Sequence, residues 1–528
     1  MIGRTPLFRR LLDSLRSAGD APKTSESKRG ARVDRRQALK AGAAAVAIGG
    51  CAIEGEETAR TWQPLRAVDA NIGVVGAGIA GIACAYELAR AGARATVHEA
   101  GDRIGGRIWS STDAAWLGQS IERGGELIDT GHKTMLGWAR MLGLEVEEVT
   151  KPALPTLYHL DGALVSEASL VDEYRVLVDA MREDLRTIGA PTAAAHTPAE
   201  RALDLVSLEE WLVRKRAPSK IAKLLRIAYT IEYGVAPSAM SCLSFLLFAK
   251  ASRQSKLRLF GNFSDERYHV IGGNQQIPIG LAARLPGPIA LGRRLTAVRK
   301  LSDGRIELTF VEGGRTVTAR HDAVVLAIPF HLLRGVTFDR SVGLPAGKSA
   351  AIAKVVYGAN SKLMLGFRGR PWIEQGSSGA SYSDRPYLQA TWETNPKRAN
   401  DTRSVITDYT GDALARALSP TRAQQHAADF LRDFDVVLPG AAARARRDDR
   451  GRYVCHLEQW STNPLAQGGY TANQPGYFTE IAGHEATPVG NVYFAGETTD
   501  SFYSWQGFME GGALSGLRAA REIVRDFG

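Results

Sequence analysis

The sequence predicts an α/β protein carrying an inserted α+β portion, and three observations predict it. An apolar strand, a glycine-rich turn, a helix and a second strand follow one another from Asn71 to Glu99. Another apolar strand, turn and helix close the chain between Gly490 and Val524. Between the two lie a block of helical periodicity at 165–250 and several short alternating stretches. These pieces imply a discontinuous α/β domain interrupted by a mixed one.

Composition supports a folded chain of two or more domains. Of 528 residues, 44% are apolar, 23% charged and 8% aromatic, which excludes a disordered or fibrous protein. The net charge is +10, but residues 1–50 hold 11 Lys/Arg against 4 Asp/Glu. The basicity therefore belongs mostly to the leader, and no nucleic-acid partner is expected for the body. No apolar run reaches the roughly 18 residues of a membrane span. Four cysteines, Cys51, Cys84, Cys242 and Cys455, are too scattered for a disulfide framework or a zinc site, and no metal centre is expected. Cys84 falls in the first helix and reads as packing.

Residues 1–51 read as an export signal. A polar basic stretch precedes Asp34-Arg35-Arg36-Gln37-Ala38-Leu39-Lys40, and a short apolar run extends from Ala41 to Gly50. Arg-Arg-x-x-Leu-Lys resembles the twin-arginine signal, which exports folded proteins. That resemblance implies a periplasmic or extracellular protein that loads its cofactor first. Ile48-Gly49-Gly50-Cys51 resembles a lipoprotein cleavage box, making Cys51 a candidate membrane anchor, with a chance match the alternative. Residues 52–69 read as a linker.

The glycines after the first strand are Gly76, Gly78 and Gly81, in the order G-x-G-x-x-G. The first permits a tight turn, the second lets backbone approach a pyrophosphate, and the third lets helix and strand pack closely. The helix start at Ile79 and Ala80 offers amide donors to phosphates. Glu99 ends the second strand 18 residues after Gly81, where a carboxylate accepts from ribose hydroxyls. Together these make a Rossmann-like adenine-dinucleotide site.

The chain beyond Glu99 resembles the flavin amine oxidase superfamily. Ala100-Gly101-Asp102-Arg103-Ile104-Gly105-Gly106-Arg107 is similar to its continuation of the FAD site, with Gly106 at the turn and Arg107 a pyrophosphate partner. Glu122-Arg123-Gly124-Gly125-Glu126 is similar to the family segment that passes beside the flavin. Far downstream, Phe494-Ala495-Gly496-Glu497 and Trp505-Gln506-Gly507-Phe508-Met509-Glu510-Gly511 resemble the C-terminal FAD segment of monoamine oxidases. The resemblance implies that Gly496, Glu497, Gly507, Phe508 and Met509 meet the cofactor, and that Val298 contacts adenine. It spans residues 70–526, dense in the FAD segments and thin between them.

The FAD-binding domain is expected from 70–135, 265–345 and 455–528. The middle piece includes the strands Arg305–Phe310, Arg315–Thr318 and Ala323–Pro329. A substrate-binding domain is expected from 136–264 and 346–454, with helices near 170–185, 208–213 and 221–231 and strands near 355–367, 379–393 and 403–411.

The chemistry implied by the resemblance is oxidation of an amine by a flavin. It requires a C–H bond aimed at flavin N5, a neutral nitrogen and controlled water. Gly358 to Leu365 resembles the family strand bearing a lysine near N5, so Lys362 is the candidate, its ammonium organising a water that meets reduced flavin and oxygen. The alternative is a solvent-facing edge-strand lysine. Tyr470 and Phe508 are the candidate aromatic walls, Phe508 standing where the family has tyrosine. Both rings are equally readable as core. Trp505 and Trp392 are further pocket candidates. The cysteine that tethers flavin in monoamine oxidases would fall near Gly469 and is absent, so FAD is expected to be non-covalent. The expected partners are a small amine and oxygen, with hydrogen peroxide as product. An L-amino acid oxidase is the second reading, although its Gly-x-Met-Arg segment is replaced here by Gly125-Glu126-Leu127-Ile128. A desaturase or protoporphyrinogen-type oxidase, and a non-catalytic protein on the same scaffold, remain further readings.

Overall fold

The computed structural model describes residues 68–149, 154–255, 266–400 and 402–528. The twin arginines, Cys51 and most of the linker lie outside the described residues.

Five short strands form a wholly parallel sheet. They are β1 (Ile72–Val75), β2 (Ala95–His98), β3 (Ile289–Ala290), β4 (Ala323–Leu326) and β5 (Val492–Phe494), in the order β5-β4-β1-β2-β3. Parallel sheets are covered on both faces, which is why β1 and β4 read as unbroken apolar runs rather than alternations. Ile72, Val74, Ala323 and Val325 face a core shared with helix α1 (Ile79–Arg90). Val75, Val324, Leu326 and Phe494 belong to a second buried cluster, which takes in Val298, Leu308 and Phe310 of strands Arg293–Lys300 and Ile306–Glu312 as well as the helices of the second domain. The chain's direction of progress across the sheet reverses at β1, which has β2 on one side and β4 on the other. Open α/β sheets bind ligands at the carboxyl ends of strands beside such a reversal.

Helix α2 (Met509–Phe527) lies against α1, and two glycines set the approach. A Cβ at Gly516 would stand 2.1 Å from the Ala80 carbonyl oxygen, and one at Gly512 2.8 Å from Ile79 Cγ2. The last helix of the chain is thereby locked onto the first helix of the dinucleotide unit.

A four-stranded sheet, Arg315–His321, Ile306–Glu312, Arg293–Lys300 and Thr337–Phe338, flanks the nucleotide domain. The second domain is built on seven strands, ordered Cys455–Gln459, Asn360–Phe367, Ser404–Gly411, Leu388–Glu393, Ser381–Arg385, Leu157–Leu160 and Ala163–Leu164. Helices Glu167–Thr187, Leu208–Arg214 and Ser219–Tyr233 cover one face, where the periodicity placed them.

Two expected domain boundaries shift. Helix Lys133–Met141 packs Met135, Trp138 and Ala139 into the nucleotide-domain core, and strand Val146–Glu148 pairs with Tyr268–Val270. The first nucleotide segment thus runs to about residue 149 rather than 135. Strand Cys455–Gln459 pairs with Ser361–Leu365, so the third segment starts after it. Among the described residues, no helix is long and apolar enough to cross a membrane.

Candidate active site

The carboxyl ends of β1, β2, β4 and β5 open into one cavity of about 660 Å³ that continues to the seven-stranded sheet.

At one end the glycine turn after β1 lines it. Gly76 has φ +107°, and a Cβ there would meet the Ala327 carbonyl oxygen at 2.7 Å. Gly106 passes so close to Gly78 that a Cβ on it would lie 3.1 Å from the Gly78 Cα. Gly78 caps α1 without a side-chain hydrogen bond, and the first turn has no acid. The uncapped helix start therefore aims its amides into the cavity, where an anion is favoured. Glu99 braces this end: its Oε2 accepts from Ala77 N at 2.7 Å and its Oε1 from Gly101 N at 2.7 Å. Each oxygen retains a lone pair for a hydroxyl.

In the middle, the two ends of the chain meet. Arg107 Nη1 donates to Glu497 Oε1 at 3.0 Å and to the Gly469 carbonyl at 2.8 Å. Glu497 Oε1 also accepts from Thr471 N and Oγ1. Glu497 Oε2 is buried with no hydrogen-bond partner. A Cβ on Gly496 (φ +125°) would meet nothing within 4 Å. An orphaned carboxylate oxygen, an uncapped helix start and glycine-lined space together fit a large polar nucleotide such as FAD.

The far end is aromatic and ionic. Lys362 comes from strand Asn360–Phe367, which has strands on both sides and so is not an edge. Its Nζ donates to Glu126 Oε2 at 2.6 Å, Gly124 O at 2.9 Å and Glu122 O at 3.0 Å. Those are all three donors of an ammonium. Lys362 therefore meets the cavity as a charge pinned by these three acceptors. Trp392 Nε1 donates to Glu126 Oε1 at 3.0 Å. Behind them Glu122 is fully enclosed, and burial pushes its carboxyl up to about 8. Tyr470 and Tyr409 share a hydroxyl–hydroxyl hydrogen bond of 2.9 Å, and Phe508 completes the wall.

The structure brings Gly76, Gly78, Ile79, Ala80, Glu99, Ala100, Gly106, Arg107, Gly124, Gly125 and Glu126 into this cavity. Gly496, Glu497, Gly507, Phe508, Met509, Lys362, Tyr470 and Trp392 line it as well. Three expected residues do not. Gly81 sits one turn into α1, where a Cβ would strike the Gly76 carbonyl at 1.9 Å; it shapes the turn from behind. Val298 is fully buried in the core, paired with Leu308 and Phe338, while Leu295 lines the cavity instead. Trp505 packs on the His132 ring at 4.5 Å, outside the lining. Sequence reasoning missed Tyr409, and it passed over Leu127 as a wall residue.

Residues 79–524 match the family described as flavin containing amine oxidoreductase. The chain is 29% identical to an L-amino-acid oxidase of Mus musculus, over 89% of this chain and 72% of that protein. It is 28% identical to the putative flavin-containing monoamine oxidase AofH of Mycobacterium tuberculosis, over 86% of this chain and 96% of that protein. Among solved structures, cyclohexylamine oxidase from Brevibacterium oxydans shares the fold, with TM-score 0.72 and 24% identity over 87% of this chain and 99% of that one. Members of the matched family bind FAD, and the match extends over most of the residues that build the cavity. The chain belongs to the flavin-containing amine oxidoreductase family.

Proposed function

We propose that this protein is an exported amine oxidase that holds FAD without a covalent bond and passes electrons to oxygen. One observation carries the choice of amine over amino acid: among the described residues, the aromatic end of the cavity offers no arginine for a substrate carboxylate. Leu127 stands in the segment where L-amino acid oxidases have that arginine, and it lines the cavity. The arginines that do line it are committed to the other parts. Arg103 donates to the Gly106 and Ile108 carbonyls, and Arg107 to Glu497. Arg293 and Arg294 open a strand whose amide at Arg293 binds the Glu99 carbonyl, at the nucleotide end.

The glycine turn, the start of α1 and Glu99 would hold the adenosine and pyrophosphate; Arg107, Glu497 and the Gly124–Gly125 segment would hold the rest. FAD bound there supplies a two-electron acceptor for hydride from the carbon beside nitrogen, leaving an imine that water converts to a carbonyl compound and ammonia or a smaller amine. Tyr470, Tyr409, Trp392 and Phe508 exclude water from the reacting end and align the amine between aromatic faces. Oxygen takes the two electrons with two protons, as hydrogen peroxide. A dissociable cofactor is supported by the cysteines: Cys84, Cys242 and Cys455 are all absent from the cavity lining. Export by a twin-arginine route, to the periplasm or beyond and with Cys51 as lipid anchor, rests on the motifs at 35–51.

The test is a peroxide-coupled screen of primary and secondary amines against L-amino acids, using the yellow holoprotein. Turnover of amines is expected. Turnover of amino acids alone would establish the second reading, an L-amino acid oxidase.

A further inference from the structure

Lys362, Glu126 and Trp392 form a closed set on the cavity wall. The lysine and glutamate side chains are 7% and 5% exposed, and their N···O separation is 2.6 Å. The ammonium has no donor left, and the carboxylate is bracketed by Nζ on one oxygen and the Trp392 indole on the other. The next acid behind it, Glu122, gives Lys362 only its backbone carbonyl, while its carboxylate side accepts from Asn274 N and Ser110 Oγ. A buried cation that is matched one-to-one by a buried carboxylate presents almost no net charge to its surroundings, and removing either partner strands the other.

We propose that Glu126 is the positioning residue for Lys362: it fixes the ammonium against the Gly124–Gly125 segment and cancels its charge, so that the cofactor meets a neutral pair. This rests on the reading that FAD occupies the cavity. It assigns Glu126 a role distinct from a direct cofactor ligand, and it makes the charge felt by the flavin a property of the pair.

Sulfite binding to the oxidised holoprotein reads that charge without turnover. Sulfite adds through sulfur to flavin N5, bleaches the visible band, and places a negative charge on the ring system, so net positive charge nearby tightens it. In Glu126→Gln the lysine is left uncompensated, and the sulfite dissociation constant is expected to fall at least about tenfold. In Lys362→Met no cation remains to be uncovered, and the constant is expected not to fall below that of the parent. In the double variant both charges are gone, and the constant is expected to lie within about threefold of the parent. Three results would each overturn the proposal: no tightening in Glu126→Gln, a tightening of about tenfold or more in Lys362→Met, or a double variant that binds sulfite as tightly as Glu126→Gln. If Glu126→Gln is isolated without flavin, the Lys362→Met result alone decides. Parent protein that is colourless and takes up no added FAD defeats the cofactor reading instead, before sulfite is added.

Discussion

Arg107 donates to Glu497 at 3.0 Å across 390 residues of sequence. This ion pair joins the Gly105-Gly106-Arg107 segment to the Gly496-Glu497 segment, and Glu497 Oε2 stays buried and unpartnered at the cavity wall. Glu497→Leu should strand Arg107 and remove two acceptor contacts to Thr471. Breaking a buried pair from one side costs about 3–5 kcal/mol, though Arg107 at 24% exposure recovers part of this through water. FAD affinity should fall by about 10- to 100-fold, read by titrating apoprotein with FAD and following flavin fluorescence. Unchanged affinity would mean the two ends do not cooperate in holding the cofactor.

Gly516 offers a test whose sign decides the matter. In an open helix, glycine to alanine stabilises by up to about 1 kcal/mol. Here the added methyl would meet a backbone oxygen, Ala80 O at 2.1 Å, which cannot swing away. Gly516→Ala should therefore destabilise by about 1–3 kcal/mol and push α2 off α1. The expected readout is a lower thermal midpoint together with reduced FAD content on purification. A raised midpoint would show that the helices do not touch there.

The nucleotide end is legible in the sequence because its determinants are local. The spacing of Gly76, Gly78 and Gly81, and the acid closing the second strand, act within one βαβ unit. The reacting end depends on register between distant strands. Tyr409 reaches the cavity because it pairs with Lys362 on one side and Ala390 on the other, and nothing in Thr407-Asp408-Tyr409 announces that pairing. Val298 lies off the cavity for a related reason. A bulge at Thr296 breaks the strand's alternation, so that Leu295 and Val298, three apart, are both buried, and only the first reaches the cavity. Trp505 looks like a pocket residue by type, but its ring is taken by His132 and Phe508.

His98 and His321 bring a pH dependence. Their Nε2 atoms are 3.2 Å apart, one donating to the other, and both rings are buried. Burial holds His98 down at about 3 and His321 at about 4, with each further affected by neighbouring charge. The unfolded chain protonates these rings near 6.5 while the native state refuses the protons. Stability is therefore full above about 6.5 and is lost as pH falls toward 4, by up to about 1.4 kcal/mol per pH unit for each ring. Glu122, raised to about 8, works in the opposite sense between about 4.5 and 8, so the variant-minus-parent difference is the useful quantity. His321→Gln should flatten the fall in urea midpoint between pH 6.5 and 4.5 by about one ring's share. An unchanged slope would show that the ring at 321 is not held neutral.

The Tyr409–Tyr470 hydroxyl bond predicts how the reacting end recognises its substrate. The Tyr409 ring lies 5.6 Å from Trp392 in an edge-on arrangement, and the Tyr470 hydroxyl also reaches the Ile231 carbonyl at 3.4 Å. Tyr409 thus links the wall at Trp392 to the wall at Tyr470. Tyr409→Phe keeps the ring and its packing but deletes that link, at a cost of about 0.5–1.5 kcal/mol. If the link orients Tyr470 against the bound amine, KM should rise about two- to tenfold while kcat changes less, because the aromatic walls that exclude water persist. Tyr470→Ala removes a wall and should depress kcat/KM much further, through water entry and loss of alignment. Steady-state kinetics on one good amine substrate separate the two effects. Equal losses from both variants would mean that the hydroxyl bond, rather than the aromatic face, dominates recognition; no loss from either would place the amine elsewhere in the cavity.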